Sequence, residues 1–192
     1  MTVHLKEIKR CGWCLGDPLY EAYHDGEWGV PIKDDATLFE FLILETFQAG
    51  LSWITVLKKR ENFRNALDNF DYGKIARYDQ HKIKQLLENE GIIRNKLKVL
   101  ATISNAKSFM KIQEEFGSFS NYYWGFVENK PLKNKVGYYK EAPATTPLSD
   151  TISKDLKKRG FKFVGSTVVY AMMQATGMVN DHETSCFRYE EV

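Results

Sequence analysis

Three observations predict a single all-α domain. No segment alternates polar and apolar residues with period two for long. Apolar positions instead recur at helical spacing, in runs that open on capping residues and close near glycines. The chain has 192 residues, 43% of them apolar and 14% aromatic, enough to bury a core of its own.

Each element follows from that pattern. Asp17-Pro18 supplies a capping carboxylate and a proline at the first helical position, so LYEAYHD should form a short helix ending near Gly26. Asp34 and Asp35 can cap ATLFEFLILETFQ, where Leu38, Phe39, Leu42 and Ile43 have helical spacing. That run is apolar almost all round, which marks a buried central helix. Ala49-Gly50-Leu51 breaks it, and Ser52 can cap a following helix over WITVLKKRENFRNAL. Asp79 opens a helix through Leu87, stopped by Gly91. A long helix is predicted from Arg94 to Phe116, with Leu97, Leu100 and Ile103 on one face. Residues 128–148 hold three of the five prolines and read as the longest loop. Ser149 or Asp150 then caps a helix to Arg159, Gly160 to Gly165 turns, and Ser166 starts TVVYAMMQATG. The expectation is about eight helices in one domain spanning 1–192.

Composition excludes several classes. With 27 Lys+Arg against 25 Asp+Glu, the net charge of +2 leaves any nucleic-acid affinity to local placement. No apolar run reaches the roughly 18 residues of a membrane span, and the N-terminus lacks the apolar stretch of a secretory signal. Three cysteines do not make a disulfide framework. A cytoplasmic, reduced, monomeric protein without a membrane partner is expected. Charge is nevertheless segregated: Asp17 to Glu45 carries eight acids and one base, whereas Gly91 to Gln113 carries five bases and no acid. Lys154 to Lys162 adds five bases and one acid. These basic segments could face phosphates, or simply form solvated helix surface.

Three constellations carry chemistry. In LSDTISKDLKKRGFKFVGSTVVYAMMQATG, about residues 149–177, a glycine-bounded turn joins two amphipathic helices. Backbone N–H groups at such a turn can approach a phosphate, although an ordinary helical hairpin would look the same. Cys11 and His24 lie near one chain end, His182 and Cys186 near the other, and the latter two are four residues apart. Two thiolates and two imidazoles make a closed tetrahedral zinc site, which would tie 11–24 to 182–186. The alternative is ordinary thiols and satisfied histidines, and Cys14 could replace a ligand or form a redox pair with Cys11. Glu45 closes the most apolar stretch, with Tyr23, Trp13, Trp28 and Trp53 near it in sequence. One buried acid among aromatic rings suits a flat cationic or electron-poor base, but a helix-end carboxylate and core tryptophans are the plain alternative.

Taken together, the segments RCGW (10–13), DPLYEAYHDGEWGVP (17–31), LE with QAGLSWITVLKKREN (44–62), GIIRNKLK (91–98) and LKKRGFKFVG…QATGMVNDH (156–182) closely resemble the 3-methyladenine DNA glycosylase I family. The resemblance implies the helix-hairpin-helix glycosylase fold. It also implies hydrolysis of the N-glycosidic bond of N3-methyladenine in alkylated double-stranded DNA, releasing free 3-methyladenine in bacterial cytoplasm, at the nucleoid. It places a structural zinc on Cys11, His24, His182 and Cys186, and the base-pocket acid on Glu45. Tyr23 matches the pocket tyrosine, Trp53 the stacking tryptophan, and Trp13 and Trp28 further aromatic positions. Gly50-Leu51 matches the segment that enters the gap left by the extruded nucleotide, and Gly160, Lys162 and Gly165 fall in the hairpin turn that holds DNA. Related glycosylases carry an aspartate in a V-D-x-H-like stretch; here Asn180 stands at that position, and Asp181 is expected to point away from the pocket. The rival readings are a non-catalytic, zinc-stapled DNA-binding module, a binder of a free cationic heterocycle, and a Cys11-x-x-Cys14 oxidoreductase.

Overall fold

A computed structural model describes residues 8–192. Its centre is α2 (Asp35–Gln48), in which Leu38, Phe39 and every residue from Phe41 to Phe47 are buried. A helix apolar on all faces must be surrounded. The surrounding helices include α3 (Trp53–Leu57), α7 (Lys96–Phe116), α8 (Phe119–Gly125) and α10 (Ser166–Ala175). The two aspartates ahead of α2 divide their work. Asp34 accepts from the Thr37 amide at 2.8 Å and caps α2 itself. Asp35 reaches across to the amides of Phe119 and Ser120, at 2.9 and 2.8 Å, and so caps α8 from another element.

Helix α1 (Pro18–Gly26) is capped by Asp17 as its sequence predicts. The helix expected over 53–67 is two: α3, then α4 (Arg60–Ala66), separated by a turn at Lys58-Lys59. That turn directs the Arg60 guanidinium inward, where it pairs with Glu27 at 2.5 Å and Glu40 at 2.6 Å. Ser52 precedes α3 but bonds the Thr55 hydroxyl rather than a backbone amide. Next come α5 (Tyr72–Ile75) and α6 (Gln80–Glu88), the latter capped by Asp79. The described residues therefore hold ten α-helices, counting α9 (Pro147–Lys158).

Long helix α7 corrects the reading of its faces. Of the face read from sequence, Leu97 and Leu100 are 67% and 38% exposed and only Ile103 is buried, while the main buried stripe runs through Val99, Thr102, Ala106 and Phe109. Lys98 is also buried. Its ammonium donates to the Phe47 and Ala49 carbonyls, at 2.8 and 2.7 Å, and so caps the C-terminus of α2. One base of the 91–113 run is thus structural.

Helices α9 and α10 pack against each other across a short turn. α9 starts earlier than expected, at Pro147, because Thr146 and Ser149 make a reciprocal capping box. Gly160 adopts φ +94°, Phe161 and Val164 are buried, and the Lys162 amide donates to Asn105 of α7 at 2.8 Å. Within 128–148, read as a loop, β1 (Leu132–Lys133) pairs in parallel with β2 (Val179–Asn180), and Val136 bridges to Glu183. This short ladder pins the segment beside the C-terminal residues. No helix of the described residues is long and apolar enough to cross a membrane.

Candidate active site and metal cluster

Cys11, His24, His182 and Cys186 meet in the interior, all four buried, with ligand atoms within 4.8 Å of one another. Cys11 Sγ lies 3.5 Å from His182 Nδ1, Cys186 Sγ 3.4 Å from His24 Nε2, and Cys186 Sγ 3.7 Å from His182 Nδ1. Ordinary zinc–sulfur and zinc–nitrogen bond lengths at tetrahedral angles put sulfur and nitrogen about 3.6 Å apart, so the spacing fits a four-coordinate ion. The remaining ring nitrogens are occupied. His24 Nδ1 is 2.8 Å from Asp25, which Arg10 holds at 2.7 Å, and His182 Nε2 is 3.1 Å from the Trp28 carbonyl. Such outer contacts fix the tautomers that leave the inward nitrogens free for a metal. The Glu183 amide also donates to Cys11 Sγ at 3.3 Å.

The two thiols oppose each other electrically. Hydrogen bonding to Cys11 pulls the Cys186 thiol down, and hydrogen bonding to Cys186 together with burial pushes the Cys11 thiol far up. Together the buried pair holds one negative charge readily and resists a second, which a bound cation would relieve. Cys14 stands outside the cluster: its thiol donates to the Cys11 carbonyl at 3.2 Å, and burial raises it to about 12. Gly29 explains a close approach here. It has φ +81°, and a Cβ on it would lie 2.8 Å from His182 Nε2.

Next to the cluster is a cavity of about 220 Å³, lined by Trp13, Tyr20, Tyr23, Trp28, Glu45, Gln48, Trp53, Tyr139, Ala142, Ala171, Gln174 and Asp181. All five residues assigned to the base pocket from sequence are present. A cavity of about 150 Å³ suffices for benzene, so this one has room for a larger flat heterocycle. Trp13 meets Trp28 edge-on at 4.9 Å, Tyr23 lies 5.4 Å from Trp53, and Trp53 also stacks on Phe41 at 6.4 Å. Trp28 also lies edge-on to His182 at 4.6 Å, so cluster and cavity share a wall.

The cavity's polar atoms are the informative ones. Among the described residues, four buried side-chain polar atoms lack a hydrogen-bond partner; three of them, Tyr23 OH, Glu45 Oε2 and Trp53 Nε1, belong to residues lining this cavity. Buried polar groups are nearly always satisfied, so three orphans around one space call for a ligand with donors and acceptors of its own. Burial raises the Glu45 carboxyl to about 8, and burial together with the nearby Glu45 holds the Tyr23 phenol well above its ordinary range.

Sequence reasoning missed Tyr20, Gln48, Tyr139, Ala142, Ala171, Gln174 and Asp181. Tyr139 arrives on the pinned 128–148 segment, its amide bonded at 3.0 Å to Glu183, which also accepts from Gly12. Asp181 does not point away from the pocket as expected: its residue forms part of the cavity wall. Asn180 turns the other way, donating to the carbonyls of Tyr189 and Val192 at 3.0 Å each. Successive residues at the end of β2 thus face opposite ways.

The other assigned positions lie outside the cavity. Gly50 has φ +82° and Leu51 is 43% exposed, on the loop between Gln48 and Trp53 that Lys98 braces. Gly160, Lys162 and Gly165 lie in the α9–α10 turn, where Lys162 is exposed. Four lysines of that hairpin, 154, 157, 158 and 162, are exposed, whereas Arg159 is held by Asp155 and Glu115.

This architecture defines a helical protein with a metal-competent cluster beside an aromatic-lined cavity that keeps unpartnered polar atoms. A methyladenine glycosylase family model matches residues 13–189. The chain is 48% identical over 182 residues to DNA-3-methyladenine glycosylase 1 of Escherichia coli K12, covering 95% of this chain and 97% of that protein. It is 45% identical to DNA-3-methyladenine glycosylase of Haemophilus influenzae over 177 residues, 92% of this chain and 96% of that protein. A crystal structure of a 3-methyladenine DNA glycosylase I superposes with a TM-score of 0.90 at 50% identity, covering 93% of this chain and 98% of the other. A variant of 3-methyladenine DNA glycosylase I in complex with 3-methyladenine matches with a TM-score of 0.90 at 34% identity, covering 93% of this chain and 96% of that one. The chain belongs to the methyladenine glycosylase family.

Proposed function

We propose that the protein excises N3-methyladenine from alkylated double-stranded DNA, hydrolysing the N-glycosidic bond to release the free base and leave an abasic site with the strand intact. The observation that carries this reading is the set of unpartnered atoms on Tyr23, Glu45 and Trp53 around one cavity, in a chain of this family. Methylation at N3 makes the linked adenine cationic, hence already a good leaving group. The protein's task is then selection and positioning.

Each residue has a role in that task. Glu45 accepts hydrogen bonds from the exocyclic amine and ring edge of the base, and the base's charge draws the carboxyl toward its ionised form. Tyr23 orients another edge, Trp53 stacks on the ring, and Trp13 and Trp28 complete the aromatic walls. Leu51, presented by Gly50, supports the gap left in the duplex. The turn with Gly160, Lys162 and Gly165 holds the phosphate backbone without reading sequence. Cys11, His24, His182 and Cys186 would hold a structural zinc, which would join the N- and C-terminal segments and fix the cavity wall through Trp28. The four-ligand set leaves no open position for chemistry.

Duplex DNA treated with a methylating agent tests this directly. Chromatography should show released 3-methyladenine and little 7-methylguanine. Absence of release by folded, zinc-replete protein would contradict the reading and favour a DNA-binding module without excision.

A further inference from the structure

Asp181 is a buried carboxylate that the base-recognition scheme leaves unused. It accepts three hydrogen bonds: from Asn134 Nδ2 on Oδ1 at 2.7 Å, and from Tyr170 OH and Gln174 Nε2 on Oδ2 at 2.7 and 2.8 Å. Its donors come from the pinned loop and from α10, so its orientation is fixed from two elements. The residue lines two spaces at once. One is the base cavity, beside Gln174; the other is an adjoining pocket of about 310 Å³ that it borders with Asn134, Lys135 and Thr146. It thus stands in the partition between the two.

The composition of the cavity wall gives this position meaning. Its lining residues include two carboxylic acids, Glu45 and Asp181, and no Lys, Arg or His. The two acids differ in what they offer. Glu45 presents an oxygen without any partner, as recognition of a hydrogen-bonding ring requires. Asp181 is already oriented by three donors, as a fixed electrostatic group requires. Cleavage of an N-glycosidic bond moves positive charge from base to sugar, through an oxocarbenium-like transition state that a nearby carboxylate stabilises.

We infer that Asp181 is a catalytic residue of this hydrolysis, facing the sugar of the extruded nucleotide from the partition between cavity and adjoining pocket. The inference rests on the glycosylase reading above. As the C1′–N9 bond breaks, its electron pair goes to the base, which leaves neutral. Positive charge builds at C1′ and is stabilised by the Asp181 carboxylate. Water entering from the adjoining pocket donates a hydrogen bond to Asp181, its oxygen bonds C1′, and its surplus proton passes to bulk water.

Single-turnover excision with Asp181→Asn tests the assignment, alongside wild type and with bound metal quantified. The expected result is a rate lower by about 10²–10³-fold. Affinity for abasic-site duplex and for free 3-methyladenine should stay within roughly threefold, because a fixed charge acting on the transition state contributes little to ground-state binding. An unchanged rate in a metal-replete Asp181→Asn protein, with wild type active, overturns the inference and leaves the glycosylase reading standing. Inactive wild type overturns that reading first. Should Asp181→Asn lose its metal or fail to fold, Tyr170→Phe decides. It removes one orienting donor and should slow excision about tenfold at unchanged KM, whereas a wild-type rate again overturns the assignment.

Discussion

The thiol–imidazole cluster and the Glu45 cavity are neighbours that share Trp28, and both bury groups able to carry charge. They differ in how those groups are satisfied. In the cluster every outward ring nitrogen has a partner, and the four inward ligand atoms converge within 4.8 Å of one another. In the cavity Tyr23, Glu45 and Trp53 keep polar atoms with none. Inward-facing ligand atoms with a completed outer shell describe a place suited to hold an ion permanently. Unpartnered atoms around an apolar space describe a place that fills and empties. The first is architecture and the second is turnover.

The largest expected effect breaks the architectural side. Cys186→Ser, or chelation, should release about one metal ion per chain, measured by mass spectrometry of the bound element, and lower the unfolding midpoint by roughly 10 °C or more. Both chain ends would separate, so the cavity should be lost with the metal.

Glu45→Gln separates the two regions, because it should leave metal content intact. Loss of a charged hydrogen-bond acceptor should weaken free-base binding by about 10–100-fold. It should also change stability in a pH-dependent direction. Burial raises the Glu45 carboxyl from 4.5 to about 8 in the folded protein. Wild-type stability is therefore fullest below 4.5 and declines as pH rises toward and through 8, by about 5 kcal/mol at most. The glutamine variant has no such decline, so its advantage in chemical denaturation should appear at pH 8 and vanish near pH 4. An acceptor needed for the substrate thus costs the free protein stability.

Tyr23→Phe removes one neutral hydrogen bond, and should weaken base binding by about 3–10-fold at unchanged metal content. Cys14→Ser is the smallest: metal stoichiometry should stay the same, with a stability loss of about 1 kcal/mol or less from the altered buried contact. Loss of metal in that variant would put Cys14 among the ligands.

Much of the site was legible because its signals are local or chemically rare. Cysteine and histidine at both chain ends suggested a ligand set, and the family resemblance selected it over ordinary thiols. Glu45 stood out as an acid in an apolar helix. What stayed hidden depends on contacts distant in sequence. The β1–β2 ladder joins residues 47 positions apart, Leu132 and Val179, and nothing in either dipeptide announces it. That ladder carries Tyr139 and the orientations of Asn180 and Asp181. Periodicity also found a stripe through Leu97 and Leu100 without saying whether that stripe or its opposite faces the core. Lys98 shows the same limit: in sequence it joins a basic run, whereas in the fold its charge ends helix α2.

The central claim is that Tyr23, Glu45 and Trp53 form a recognition site for a methylated adenine. Titrating free 3-methyladenine into wild-type and Glu45→Gln protein, followed by tryptophan fluorescence, tests it most directly, since three of the four tryptophans line the cavity. The account predicts saturable one-to-one binding to wild type, with a fluorescence change, weakened by at least about tenfold in the variant. Equal affinity in the two proteins, or no binding to metal-replete wild type, would contradict it.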